Sequence, residues 1–303
     1  MENFILIFIA LFFGYAIQKL RLFPDNAATT LNQFIITIAL PAIILLKVPQ
    51  ISFSAEMLAP AIIAWIVMPI SAVFILLLSK VFNFSREITG ALMLLGVLGN
   101  SSFLGIPIIN AYLGADALAY VLVYDQLGTF FVFVFYGTFV ASYYSNEHKL
   151  EYKIILRKLF TFPPFIALLF AFALMGVKFH PALMSTLESL SATIVPLALV
   201  AVGLQLQFRL PRNELKPFSI ALFVKLIFGP LVAILFCKIL GFEGLAAHVS
   251  ILEAGMGPMI TAGVLASMAG LAPRLSSSIV GYGILASFVT SGVLYLYIAW
   301  QIA

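Results

Sequence analysis

Long apolar runs are the feature of this sequence that most restricts its fold. About 20 mainly apolar residues cross one bilayer, and ten runs fit that length. Only 9% of the 303 residues are charged, against about 25% in a typical soluble protein. The runs cover roughly residues 3–19, 30–47, 57–80, 87–110, 115–143, 162–178, 184–207, 216–240, 244–269 and 276–301.

The bilayer also decides the type of secondary structure. Backbone N–H and C=O groups find no water in lipid, so only helices and closed β-barrels satisfy them. A barrel strand alternates apolar and polar residues with period two, and none of the runs does so. The sequence therefore predicts an all-α polytopic membrane protein with ten transmembrane helices, called spans one to ten below.

The distribution of basic residues predicts the orientation. Twelve of the sixteen lie in loops after odd-numbered spans, whereas Lys47, Lys178 and Lys238 lie in loops on the other side. Because cytoplasmic loops carry the excess of Lys and Arg, the odd-numbered loops are assigned to the cytoplasm. This predicts a multi-pass protein of the cell (inner) membrane with both termini outside the cytoplasm.

The chain divides into two halves of five spans each. Its most polar stretch, residues 145–160, is predicted to be a cytoplasmic connecting loop between repeats at residues 1–144 and 161–303. A shift of 158 residues places Gly99 on Gly257. Because each half has an odd number of spans, the second half enters the membrane from the opposite side. The sequence thus predicts two inverted five-helix repeats.

Two matching interruptions point to a functional site. The segments LGNSSFLGIP (98–107) in span four and AGMGPM (254–259) in span nine contain Gly and Pro, which cost about 1 and 3 kcal/mol against Ala in a helix interior. In inverted-repeat transporters such paired interruptions mark the substrate site. At about 1.5 Å rise per residue, both breaks fall near the centre of the membrane and are expected to cross there. The alternative is a pair of ordinary kinked helices packed by small residues.

The broken helices favour an anion. Their second halves are expected to begin near Ser101 and Pro258, since a proline suits the first position of a helix. Free amide groups and the helix dipole carry partial positive charge there. The side chains of Asn100, Ser101 and Ser102 in span four add hydrogen-bond donors for an anion. The predicted substrate-binding residues are Gly99, Asn100, Ser101, Ser102, Phe103, Met256, Gly257 and Pro258.

Three ionisable residues lie at similar depth inside the spans: Asp125, Lys225 and Glu253. Charges within the membrane are costly and are functional candidates by default. In one interpretation a carboxyl group takes up and releases a coupled proton, while Lys225 sets the local field or holds the substrate. In the other, Lys225 forms a fixed ion pair with Asp125 or Glu253 that only joins two helices.

Other classes of function find little support in the sequence. It contains no metal-ligand pattern, P-loop or nucleophile elbow. No basic cluster suitable for nucleic acid occurs beyond the loop at 149–158. We therefore expect no enzyme activity, no cofactor, no metal and no nucleic-acid partner.

Four segments resemble the auxin efflux carrier family, whose plant members are the PIN-formed exporters. They are LNQFIITIALPAIIL (31–45), GNSSFLGIPII (99–109), VGLQL (202–206) and EAGMGPMITAGVLA (253–266). The resemblance covers essentially the whole chain. It implies a scaffold of spans 1, 2, 6 and 7, a transport domain of spans 3–5 and 8–10, and an X-shaped crossing of spans 4 and 9. It also implies organic anion substrates and a homodimer formed through the scaffold.

Carried over residue by residue, the resemblance assigns the family's asparagine at the crossing to Asn100 and its structural glycine and proline to Gly105 and Pro107. Ser102 departs from the family, where a glycine is frequent. In span nine, Gly257 precedes the proline and no asparagine mirrors Asn100, so an auxin-like substrate is not implied.

The sequence as a whole predicts a secondary active transporter of small organic carboxylates that works by alternating access. Proton coupling through Asp125 or Glu253 is a further expectation. The alternatives are a sodium-coupled symporter resembling the bile-acid symporters, and a membrane receptor that binds a ligand without transporting it.

Overall fold

The computed structural model describes residues 2–50, 55–145, 160–206 and 214–302. The predicted connecting loop, apart from its first and last residues, lies outside these ranges, as do the basic residues at 149–158 and at 209 and 212. In the part of the chain that is described, all regular elements are helical. The predicted all-helical class is therefore confirmed.

The helices are numbered here in chain order over the described residues, and several combine α-helical with π or 3-10 turns. They are α1 (Glu2–Leu20), α2 (Ala27–Gln50), α3 (Ala55–Val81), α4 (Arg86–Leu95), α5 (Ser101–Leu113), α6 (Ala115–Tyr144), α7 (Pro163–Ala173), α8 (Pro181–Gln205), α9 (Leu215–Leu240), α10 (Gly244–Ala254), α11 (Ile260–Met268) and α12 (Pro273–Ile302).

Six of these helices are long and apolar enough to cross a membrane: α2, α3, α6, α8, α9 and α12. Shorter apolar helices include α5, α7 and α10. Spans four and nine of the sequence prediction are each divided into two short helices, so neither half reaches the length of a span. A multi-pass helical membrane protein follows from these lengths, whereas the count of ten spans and the inverted repeat stay predictions.

Three π turns stand immediately before prolines. Each ends two residues before the proline, which has no N–H to donate and whose ring clashes with the preceding turn. A widened turn accommodates both effects. The pairs are Ile35–Ala39 with Pro41, Ser101–Gly105 with Pro107, and Val224–Phe228 with Pro230. The structural role predicted for Pro107 is thereby given a physical basis.

The helices form two packed groups. In the first, α8 packs on α1 and α2, and α7 packs on α2. In the second, α3 packs on α6, α9 and α10, while α11 packs on α12. Helix α5 contacts α1 and α8 of the first group. Residues around the break between α4 and α5 are therefore held between the two groups.

Two glycines allow α1 and α8 to cross closely. A Cβ added to Gly14 of α1 would lie 2.9 Å from the Cα of Gly203 in α8, and it would overlap the carbonyl oxygen of Val200. The reverse holds for Gly203, whose added Cβ would lie 2.9 Å from the Cα of Gly14. Small residues let membrane helices approach this closely.

The Gly14→Ala variant should therefore be destabilised. The added methyl group meets backbone atoms that cannot rotate away, and overpacking of this kind costs about 1–3 kcal/mol. Thermal unfolding in detergent measures the effect. Ala173→Leu, which enlarges an exposed side chain at the end of α7, is the control, and equal stability of the two variants would contradict the close crossing.

Candidate functional site

The two helix breaks meet, and the segments that form them, residues 96–100 and 255–259, are called the crossover below. The N–H of Asn100 donates to the carbonyl oxygen of Gly257 at 2.8 Å, and the N–H of Met259 donates to that of Leu98 at 3.0 Å. Gly99 and Pro258 face each other as an isolated antiparallel bridge. The reciprocal pair satisfies backbone groups that an interrupted helix leaves free.

One detail of the sequence prediction is wrong. Pro258 does not occupy the first position of a half-helix, because it lies in the antiparallel bridge, and α11 begins at Ile260 after Met259 as N-cap. Its ring instead packs against Gly283 of α12, where an added Cβ would lie 2.5 Å from the proline Cδ. The other half-helix begins at Ser101, as expected.

Asn100 fixes the start of α5. Its side-chain oxygen accepts a hydrogen bond from the N–H of Phe103 at 3.3 Å, which is the arrangement of an N-cap. The side-chain amide nitrogen is buried, and in the described part of the chain it has no hydrogen-bond partner. Because the oxygen is already used for capping, this nitrogen is an unused donor at the crossover.

Asp125 is bound by three side-chain donors. The hydroxyl groups of Ser101 and Ser102 donate to its Oδ1 at 2.5 and 2.6 Å, and Nε2 of Gln126 donates to its Oδ2 at 2.5 Å. Asp125 lies in a π turn of α6, and the serines begin α5. The carboxyl group therefore links α6 to the positive end of the α5 half-helix.

Lys225 and Glu253 lie at the crossover without a hydrogen bond between them. Nζ of Lys225 donates to the backbone carbonyl oxygen of Ala254 at 2.9 Å. The same ammonium group lies 2.9 Å from the position of a Cβ added to Gly99. Neither carboxyl oxygen of Glu253 has a hydrogen-bond partner among the described residues.

Gly105 provides the seat for the Glu253 side chain. A Cβ added to Gly105 would lie 2.7 Å from Oε2 and would overlap Oε1. The glycine of the segment LGIP is thus needed for space, since its φ of −59° is ordinary for a helix.

A cavity of about 90 Å³ adjoins the crossover. Its polar walls come from α5, α6 and the start of α11, and apolar residues of α2 and of the segment before α7 close the other side. The residues that line it are Ile36, Leu40, Ser102, Phe103, Asp125, Gln126, Phe130, Phe133, Phe162, Met259 and Thr261. It therefore lies between the two groups of helices.

Only some of the residues that the sequence predicts for the site line the cavity. Ser102, Phe103 and Asp125 line it. The other predicted residues form or flank the crossover without lining this cavity: Gly99, Asn100, Ser101, Met256, Gly257, Pro258, Lys225 and Glu253. Sequence reasoning missed the contribution of Met259, which directly follows the break and could have been found by that position.

A larger opening, the Arg21 vestibule, extends to the start of α11, next to the crossover. It has a volume of about 490 Å³ and extends from Arg21 and Asp25, after α1, to Ile260, the first residue of α11. Gln205 at the end of α8 also lines it. Its walls thus come from both groups of helices.

The arrangement defines a class of protein: a multi-pass helical membrane protein whose two interrupted helices cross beside an internal cavity, as in membrane transporters. A family model described as "Membrane transport protein" matches residues 1–295. The chain belongs to this family, the auxin efflux carrier family, and the resemblance seen in the sequence is confirmed.

Two archaeal relatives match over most of their length. An "Uncharacterized transporter" of Methanothermobacter thermautotrophicus is 28% identical over 297 residues, which cover 95% of each chain. One of Methanocaldococcus jannaschii is 26% identical over 287 residues, which cover 92% of each chain. Family and relatives together support a membrane transporter.

The seat of Glu253 can be tested by a double-mutant cycle. Gly105→Ala alone should lower the unfolding temperature because the methyl group displaces the carboxyl group. Adding Glu253→Ala should remove that penalty, giving a coupling free energy of about 1–3 kcal/mol. Unfolding of the four proteins in detergent supplies the cycle, and additive effects would contradict the contact.

Proposed function

We propose that this protein is a secondary active transporter of small organic carboxylates that binds them at the crossover and carries them by alternating access. The observation that carries the proposal is the pair of half-helix starts, at Ser101 and Ile260, beside one cavity between two groups of helices. The first-turn amides of a helix have no partner within the helix, and they carry its positive dipole end. Such ends bind anions.

The donors at the crossover suit a carboxylate. Asn100 contributes a buried amide nitrogen without a partner, and the hydroxyl group of Thr261, which lines the cavity, also has none among the described residues. Ser101 and Ser102 already donate to Asp125. A substrate carboxylate would therefore bind chiefly to the α11 amides, Thr261 and Asn100.

The apolar walls of the cavity suit the rest of the substrate. Phe103, Phe130, Phe133 and Phe162 line it together with Met259. Binding sites for small molecules commonly combine such apolar walls with a few placed polar groups. A carboxylate with a small apolar or aromatic body fits this lining better than a fully polar one.

The packing of the helices supports a division into two moving parts. We assign α1, α2, α7 and α8 to the scaffold, and α3–α6 with α9–α12 to the transport domain. The cavity has walls from both parts, so a displacement of one against the other would change its access. The Arg21 vestibule, which by the predicted orientation opens to the cytoplasm, would be the route for substrate in this conformation.

The proposal includes ten spans in two inverted repeats. Spans four and nine would be α4 with α5 and α10 with α11, each interrupted at the crossover. Both termini would then lie outside the cytoplasm, as the basic residues indicate.

A sodium-coupled symporter is a second candidate, favoured by one observation. Oε1 of Gln126 and Oγ1 of Thr261 are acceptors without partners among the described residues, and both residues line the cavity with Asp125. Oxygen ligands suit hard cations. Uptake measured with and without a sodium gradient at constant pH separates the two candidates.

Asn100→Asp tests the site. The aspartate keeps the capping oxygen but removes the donor and adds a negative charge. A hydrogen bond to a charged group contributes about 1.5–3 kcal/mol, so counterflow should fall about tenfold or more. The assay follows ionised carboxylates, among them mandelate and malonate, in proteoliposomes after a thermal-stabilisation screen has ranked them.

Asn110→Asp is the matched control, because it makes the same change near the other end of α5. Counterflow by this variant should stay near that of the unaltered protein. Equal counterflow by both variants would overturn the crossover as the binding site, and absence of counterflow for every carboxylate would overturn the transport proposal.

A further inference from the structure

Glu253 is a buried carboxyl group to which the proposed substrate site assigns no role. Its side chain is 1% exposed, and neither oxygen has a hydrogen-bond partner in the described part of the chain. Asp125, which is buried to a similar degree, accepts three hydrogen bonds. The two carboxyl groups at the crossover therefore differ in hydrogen bonding, although the sequence places them at similar depth in the membrane.

A buried carboxylate without donors is strongly unfavourable and is relieved when the group takes up a proton. Ser101, Ser102 and Gln126 donate hydrogen bonds to the Asp125 carboxyl group, so it has the partners that Glu253 lacks. Geometry thus separates the two coupling candidates, which the sequence alone could not do.

The charged and titratable side chains around Glu253 come from the helices packed against α10. Asp125 and Tyr124 of α6 and Lys225 of α9 lie close enough to interact with it electrostatically. The charged side chains of α3, Glu56 and Lys80, lie in its first and last turns. The titratable side chains of α5 and α12 include Tyr112 and Tyr295, which stack on each other, and Tyr282, which packs against Phe218 of α9.

Lys225 is held where it can stabilise a charge on Glu253. Its ammonium group donates to the backbone carbonyl oxygen of Ala254, the residue after Glu253. It does not hydrogen-bond the carboxyl group, so the proton on Glu253 and the charge on Lys225 can coexist. When the proton leaves, the ammonium group compensates the carboxylate.

We propose that Glu253 binds the proton that accompanies the substrate anion, with Lys225 as the positioning residue that stabilises its deprotonated form. The inference rests on the proposed transport function and deepens it. The carboxyl O–H bond breaks, the proton passes to water, and the electron pair remains on the carboxylate. One proton and one monocarboxylate would then cross together without net charge.

The proton site is distinct from the cavity that would hold the anion. A second opening, the His248 vestibule, has a volume of about 590 Å³, lies among α9, α10 and α12, and is lined by Cys237 and Ile251 as well as His248. Glu253 lines neither this vestibule nor the Arg21 vestibule. Neither Glu253 nor Lys225 lines the 90 Å³ cavity.

Infrared difference spectroscopy tests the proton assignment without a substrate. A pH titration of the whole protein in lipid nanodiscs should show a protonated-carboxyl band that shifts when glutamate is labelled with ¹³C. Glu253→Gln should lose the band and Asp125→Asn should keep it. A band that shifts only with labelled aspartate, or no band in the unaltered protein, would overturn the proposal. Isotope labelling keeps this test valid if a variant fails to fold.

Fluxes of ¹⁴C-mandelate in proteoliposomes test coupling. A one-unit pH gradient supports about tenfold accumulation in one-to-one symport. Glu253→Gln should abolish this accumulation yet retain mandelate counterflow, and Lys225→Gln should shift the pH profile of uptake. Accumulation that survives in Glu253→Gln would overturn the coupling role.

Failure of the proposed function gives a different result. If the unaltered protein shows no counterflow of any ionised carboxylate, transport at the crossover is wrong, and the coupling role falls with it. The infrared titration still decides whether Glu253 carries a proton.

Discussion

The structure depends on how two interrupted helices satisfy their backbone groups where no water is expected. Asn100 donates to Gly257 and Met259 donates to Leu98, so each break uses the other as its hydrogen-bond partner. Neither break could lie in lipid alone without several unsatisfied groups. This mutual requirement fixes the crossover, and the crossover in turn fixes where α5 and α11 begin. The Asn100 cap, the serine bonds to Asp125 and the Gly105 seat for Glu253 all follow from that placement.

The charges around the crossover are arranged unequally. Asp125 accepts hydrogen bonds from three side chains, whereas Glu253 has no donor among the described residues. Lys225 donates to a backbone carbonyl oxygen. In a transporter such asymmetry is useful, because a hydrogen-bonded carboxyl group can hold two helices together while a carboxyl group without partners can take up and release a proton. On this account Asp125 ties α6 to α5, and Glu253 couples transport to protons.

Much of this organisation could be predicted from the sequence because lipid imposes strong rules. Hydrophobic length located the helices to within a few residues, and Gly and Pro located both breaks and the start of α5 at Ser101. The position of Pro258 was predicted wrongly because helix-start preferences ignore its bridge to Gly99. The scaffold side of the cavity, Ile36, Leu40 and Phe162, could not be predicted, since apolar residues in apolar spans carry no local signal. The difference in hydrogen bonding between Asp125 and Glu253 depends on contacts between helices that are distant in sequence, so it could not be predicted either.

The central claim is that the crossover binds a carboxylate through the amides that begin α11. Solid-state NMR on the protein in lipid, with ¹³C-carboxyl mandelate and ¹⁵N-labelled isoleucine and threonine, measures the relevant distance directly. The account predicts dipolar coupling between the carboxyl carbon and the amide nitrogens of Ile260 and Thr261 at about 3–4 Å, as expected for hydrogen-bonded groups. Bound mandelate without coupling to these nitrogens would contradict it.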